Sequence, residues 1–408
     1  MMNLEQRLDK YAELAVKVGV NIQKDQILYI SSSVEVAPFT RKVVRKAYEA
    51  GARHVYVDWA DEEVTRAKFE LAPEDAFSEV PEWLVAQKEY LIEKGGAIIS
   101  IVSQSPDALK GIEAKRIANY QKATGTALNK FRQAMQADKF SWSVIAAAGQ
   151  KWANKVFPDA ENSVEMLWDA ILKAVRVDSA DPVQTWIEHD HTLRAKADYL
   201  NEKKYKALHY RAPGTDLTIQ LSDKHEWCGA GSINAKGHSF MANMPTEEVF
   251  TVPLKEGVNG TVASTKPLSY GGNVIDRFSL TFENGKAVSA KAETGEDVLL
   301  SLLDTDEGSR YLGEVALVPH RSPISDTNVL FYNTLFDENA SNHLAIGSGY
   351  AFCLKGGKEM SEQELIDNGV NNSITHVDFM IGSAEMDIDG ELADGTLEPI
   401  FRGGNWAF

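Results

Sequence analysis

Between Met244 and Asp378 the chain carries five side chains of metal-ligand type: Glu248 in MPTEEVFTVP, Glu314 in GEVALVPHRSPIS, His343 in NTLFDENASNHLAIGSGY, and His376 with Asp378 in THVDFMIGS. Carboxylates and imidazoles, with no thiolate among them, suit two divalent ions, which lower the pKa of a shared water and hold the attacking and departing oxygens of a hydrolysis. His376 and Asp378 stand two apart in an extended, apolar context, so a strand turns both to one face and one ion could take both. Glu248 heads an apolar run and Glu314 precedes VALVP; a carboxylate on a buried strand needs a partner or a metal, because burying it alone is costly. Glu247 should point to the side opposite Glu248, one of the two serving as ligand and the other as base or amine anchor. His343 follows an Asn/Asp/Glu-rich turn and is expected on a short helix. Each residue taken singly has a plainer reading, as an edge-strand polar face, a satisfied core histidine or a salt-bridged acid. The set reads as a metallohydrolase.

Other chemistry-bearing residues carry less weight. His189 and His191 lie two apart in a helical segment, face different directions, and are expected at the surface. Cys353 in YAFCLKGG has apolar neighbours and reads as a small core residue. The glycine-rich GAGSINAKGH lacks a phosphate-loop spacing and reads as turns in a β domain. His320 and Arg321 follow the strand of Glu314 and could reach the site, Arg321 being the one candidate for a phosphate clamp.

What must position these groups is a long chain. With 408 residues, of which 44% are hydrophobic, two or three domains with sizeable cores are available. The longest apolar runs fall short of a membrane span, and the N-terminal MMNLEQRLDKYAELAVKVG reads as an amphipathic helix rather than an export signal. Two cysteines imply no disulfide framework and fit a reducing cytoplasm. A net charge of -17 opposes binding to phosphate backbones, so nucleic acid is not an expected partner, nor is a membrane.

From Leu4 onward the pattern alternates helix and strand: a helix to Val18, ILYIS from Ile27, a helix over Ala37 to Ala50, HVYVDW from His54, a helix over Glu82 to Lys94, AIISIVS, one long helical stretch from Ile112 to Ala137, and FSWSVIAAA. Continuous apolar strands between amphipathic helices imply a parallel sheet covered on both faces, an α/β domain over residues 1–190. Gly51 fits a helix C-cap. Short alternating segments then dominate, from YKALHYR and DLTIQL to EMDIDGEL, and imply a mainly antiparallel β domain over 191–408 with helices near Glu296 to Leu303 and Asp337 to Gly347. Asn284-Gly285 is a hairpin signal, and Asp389-Gly390 and Asp394-Gly395 suggest further tight turns.

In order along the chain, MPTEEVFT, GEVALVP, NTLFDENASNHLAIGSGY and HVDFMIGS resemble the M29 family of metallo-aminopeptidases, the aminopeptidase T and PepS group, over essentially the whole chain. The resemblance implies a dinuclear site with Glu248, Glu314, His343, His376 and Asp378 as ligands, and an active-site tyrosine at Tyr350. It implies an α/β N-terminal domain and a C-terminal catalytic domain; the carboxylate and imidazole donors themselves accept zinc, cobalt or manganese. The activity implied is removal of the N-terminal residue from short peptides by a homodimer whose α/β domain serves as wall and subunit contact; of the two adjacent acids, Glu247 is taken as the general base, and a cytoplasmic location is expected. Two rival readings are a non-catalytic peptide- or amino-acid-binding protein and a dinuclear phosphoesterase.

Overall fold

The structure is a computed structural model and describes residues 2–229 and 231–408. The chain forms two compact units, each assembled from three segments: Met1–Ile112, Ala127–Thr192 and Ala230–Thr246 in the first, Glu113–Thr126, Leu193–Gly229 and Glu247–Phe408 in the second.

The first unit is built on four parallel strands, β1 (Ile27–Ser33), β2 (His54–Ala60), β3 (Ala97–Val102) and β4 (Trp142–Ala146), in the order β2-β1-β3-β4. The central strands are apolar because helices cover them, and Leu28, Ile30, Ile99 and Ile145 are fully buried. Strand β2 departs from the expected two-sided burial: it is the sheet edge, with one neighbour, and it exposes Tyr56 and Trp59. The helix Ala37–Glu49 ends at Gly51, whose φ of +100° lets its N–H reach Tyr48 O while the Ala52 N–H reaches back to Ala47 O. The single helix expected over Ile112 to Ala137 is instead two, Ala114–Ala127 and Asn129–Gln136, broken at Leu128. GAGSINAKGH contributes a short hairpin, Gly231–Ile233 with Ser239–Met241, which packs in this first unit rather than in the β unit.

The second unit holds two antiparallel sheets. The larger has nine strands, among them Ala207–Ala212, Thr215–Leu221, Pro253–Ala263, Asn273–Glu283, Lys286–Thr294 and Asp387–Glu391. Asn284 and Gly285 turn one hairpin of it, with φ of 49° and 81°. Asp389-Gly390, by contrast, is not a turn: it lies inside a strand, where a Cβ on Gly390 would stand 2.5 Å from the Tyr205 ring. The glycine is there for close approach.

The smaller sheet has four strands, β5 (Val249–Thr251), β6 (Leu312–Leu317), β7 (His343–Gly347) and β8 (His376–Met380), in the order β8-β7-β6-β5. Its two central strands are buried along their whole length. Among the described residues no helix is long and apolar enough to cross a membrane.

Candidate metal centre

All five sequence-selected ligand types converge on one face of this small sheet, and register explains how. Glu314, Ala345 and Asp378 stand directly opposite one another across β6, β7 and β8. Residues opposite in antiparallel strands project to the same side, and side chains alternate along each strand. His376 therefore shares the face of Asp378, and His343, opposite Ala316, shares the face of Glu314. Phe250 on β5 is also opposite Ala316, which sets the same parity for Glu248 two residues earlier. The small side chains of Ala316 and Ala345 leave room between the larger groups.

His343 corrects the expectation of a helix. The helix Thr334–Asp337 and a 3-10 turn, Glu338–Ala340, end before it, and Ser341 is extended. His343 opens β7, because HLAIG is an apolar run that fits between two strands. Asp337 holds the preceding turn by accepting the Phe331 and Asn333 N–H groups, at 3.0 Å each.

The distances define two overlapping groups, Glu248, Glu314 and His343, and Glu314, His376 and Asp378, with one ligand atom per residue lying within 4.8 Å of the others in its group. His343 Nε2 is 3.0 Å from Glu248 Oε2 and 3.6 Å from Glu314 Oε1. His376 Nε2 is 3.6 Å from Glu314 Oε2 and 3.5 Å from Asp378 Oδ1. The two oxygens of Glu314 thus face different histidines, and Glu314 belongs to both groups.

Backbone carbonyls orient the imidazoles. His343 Nδ1–H donates to Glu338 O and Ser341 O at 3.0 and 3.1 Å, and His376 Nδ1–H donates to Ser348 O at 2.7 Å. Each ring therefore presents Nε2 to the carboxylates, the arrangement that fixes the tautomer of a metal-ligating histidine. A tight crossing supports this: a Cβ on Gly313, at the bulge before Glu314, would come within 2.4 Å of Ser348 O. Only a glycine lets β6 approach the chain that supplies this acceptor.

The electrostatics fit a cation site. Burial raises the Glu314 carboxyl to about 7, with the charges of Asp378 and Glu248 adding to it against the His343 hydrogen bond. Burial alone would lower both imidazoles. Glu248 and Glu314 hold His343 well above its usual range, and Asp378 with Glu314 carries His376 to about 9. His343 Nε2 and Asp378 Oδ1 are buried, and what they face is other ionisable groups of the cluster, Glu248 at 3.0 Å from the first and His376 at 3.5 Å from the second. Buried polar atoms of this kind, in a set of carboxylate and imidazole donors, are what a divalent ion satisfies. The residues present fit the metal that the chemistry calls for.

Tyr350 joins this site. Its ring centroid is 4.7 Å from that of His376, and it stacks on Phe352 and packs edge-on against Phe250. Burial and the surrounding carboxylates keep its hydroxyl protonated far above neutrality. Glu247 is buried, and its N–H donates to Asn339 Oδ1 at 2.7 Å. One group was missed in the sequence: Glu338, buried, with its carboxyl driven well upward by burial and by Asp378 and Glu248. The acidic DEN run five residues ahead of His343 was the available signal.

The remaining candidates lie elsewhere. His191 is exposed, whereas His189 is half-buried, contacting the Trp186 ring and donating from Nε2 to Thr246 O at 2.7 Å. Arg321, the candidate phosphate clamp, is exposed and ion-paired with Asp326 at 2.6 Å. Cys353 is a core residue, packed with Val252, Leu354 and Val370.

A face of two carboxylate-and-imidazole triads sharing one acid, beside a half-buried tyrosine, has the donor set of a metal-dependent hydrolase. Comparison with known proteins narrows the class. Residues 4–406 match the family described as "Thermophilic metalloprotease (M29)", and the chain belongs to this family. It is 61% identical to aminopeptidase AmpS of Bacillus subtilis (strain 168), over 100% of each chain. It is 42% identical to aminopeptidase T of Thermus aquaticus, over 98% of each chain. Wild-type AmpT from Thermus thermophilus has a similar solved structure, with a TM-score of 0.91 and 39% identity over 100% of both chains.

Proposed function

We propose that this chain is a dinuclear-metal aminopeptidase that removes the N-terminal residue from short peptides. The observation that carries the reading is Glu314, whose two oxygens face His343 and His376 separately. Glu248, Glu314 and His343 would hold one ion and Glu314, His376 and Asp378 the other, with zinc, cobalt or manganese compatible with these donors. When bound, the ions supply Lewis acidity toward the scissile carbonyl and a water acidic enough to lose its proton near neutral pH. Glu247, next in the chain to Glu248, accepts that proton and returns it to the leaving amine. The Tyr350 hydroxyl donates to the oxygen that becomes negative as the carbonyl is attacked. Glu338 is the spare carboxylate available to the substrate's α-ammonium, which would restrict cleavage to free N-termini.

The test is a panel of amino-acid amides with elemental analysis alongside. Free amides should be hydrolysed, N-acetylated amides should not, and a chelator should remove turnover together with two ions per chain, restored by divalent metal. Turnover that survives complete chelation would overturn the metal reading. Peptide binding with no turnover in the metal-loaded protein would favour the binding-protein alternative, and phosphate-ester cleavage without peptidase activity the phosphoesterase.

The first unit is assigned the role of wall and subunit contact in a cytoplasmic homodimer. Its edge strand exposes Tyr56 and Trp59, and the same unit also exposes Leu71 and Trp83, the latter two at 82% and 68%. An unpaired strand edge with exposed aromatics is a surface that another chain covers. Light scattering is expected to give a particle near twice 45.0 kDa. A fully active monomer would sink this assignment.

A further inference from the structure

The only two cysteines of the chain, Cys228 and Cys353, are 125 residues apart in sequence, yet the fold brings their sulfurs to 4.0 Å. Backbone pairing holds the contact. The Glu226 N–H donates to Cys353 O and the Lys355 N–H to Lys224 O, at 2.8 and 2.9 Å. Cys228 and Phe250 exchange both backbone hydrogen bonds, at 2.8 and 3.0 Å. A disulfide needs an S–S distance of about 2.05 Å, so the sulfurs must close by about 2 Å, which side-chain rotation and an accompanying shift of the paired backbone supply. Cys353 is fully buried and Cys228 is half-buried, so a small oxidant meets Cys228 first.

We propose that Cys228 and Cys353 form a reversible dithiol–disulfide switch, with a peroxide as oxidant and a low-molecular-weight thiol as reductant. The Cys228 sulfur attacks the peroxide, forming an S–O bond as the O–O bond breaks, and with hydrogen peroxide one water leaves. The Cys353 sulfur then attacks the sulfur of that sulfenic acid, forming the S–S bond and expelling the second water. Two thiol hydrogens and two electrons have passed to the peroxide. Two reductant thiols reverse the change by exchange, becoming a disulfide themselves.

Both cysteines are tied to the candidate centre. The Cys353 N–H donates to Tyr350 O at 3.1 Å, closing the 3-10 turn Ala351–Cys353 that starts beside Tyr350. Cys228 pairs with Phe250, two residues from Glu248. Drawing the sulfurs together pulls on both sides of the site. This consequence for turnover rests on the aminopeptidase reading; the chemical step does not.

The experiment treats the metal-loaded full-length protein with hydrogen peroxide in small equivalents. Titratable thiols are expected to fall from two to none, the intact mass to drop by two hydrogens, and a non-reduced digest to join the Cys228 and Cys353 peptides within one chain. Turnover on an amino-acid amide should fall on the order of ten- to a hundredfold, since a misplacement of ~1 Å suffices for that. Dithiothreitol should restore both readouts. Cys228→Ser should keep basal turnover and lose the reductant-reversible inhibition. Persistent thiols, sulfinic acids in place of the linkage, a link between chains, full turnover in the oxidised protein, or the same reversible loss in Cys228→Ser would each overturn the proposal. A protein with no turnover before treatment refutes the aminopeptidase reading instead, and the mass and thiol readouts then decide the linkage alone.

Discussion

Replacing Glu314 by glutamine is expected to lower kcat/KM by on the order of 10³-fold or more, equivalent to about 4 kcal/mol, and to reduce bound metal on both sides of the centre. The amide keeps the shape of the side chain but loses the charge, and Glu314 alone belongs to both ligand groups. A ligand of one group, such as Glu248 or Asp378, should weaken chiefly its own ion. Elemental analysis beside turnover separates these cases, and near-normal activity of Glu314→Gln with full metal content would remove the assignment. The same acid imposes a pH dependence. In the protein alone Glu314 sits at about 7 and His376 at about 9, both raised, so near neutrality both sites still bind protons. A metal needs them deprotonated, and its uptake must expel those protons. Affinity should therefore tighten as pH rises through the window from about 7 to about 9 and weaken below it. Loading metal near neutral pH in a weakly buffered solution should release acid, and no release would contradict the sign.

Tyr350→Phe is expected to cost about 10² to 10³ in kcat, the range for removing one donor to a developing oxyanion. KM and metal content should stay close to those of the unsubstituted protein. Burial and the neighbouring carboxylates keep the hydroxyl protonated, so it is available as a donor across the working pH range. The ring contacts with Phe250, Phe352 and His376 need no hydroxyl, and phenylalanine preserves them. Thermal unfolding should accordingly be little changed, which separates a lost hydrogen bond from a disturbed sheet. A Tyr350→Phe variant with normal kcat would exclude the role.

Much of the local structure was legible because it depends on neighbours in sequence. The apolar runs of β1, β3 and β4, the positive-φ turn at Asn284-Gly285, the cap at Gly51 and the helix Glu296–Leu303 each follow from a few consecutive residues. The two-residue spacing of His376 and Asp378 similarly dictates that they share a strand face. Where local signals competed, tertiary packing decided. His343 followed a helix-like acidic turn yet became the first residue of a central strand, since burial of Leu344 and Ile346 between two neighbours outweighs a short helix that is marginal alone. Asp389-Gly390 carries a turn signature but lies in a strand because the Tyr205 ring covers it.

By itself, then, the sequence determined the residue types of the centre, the order of their motifs and the strand-forming character of the segments that bear them. Only the tertiary structure decided that Glu314 faces both histidines, that Glu338 stands beside the carboxylate and imidazole cluster, that three backbone carbonyls fix two imidazoles, and that two cysteines 125 residues apart come into contact. The physical reason is register. Which residues meet across a sheet depends on how strands remote in sequence align, and a shift of one residue would turn every ligand on a strand to the opposite face.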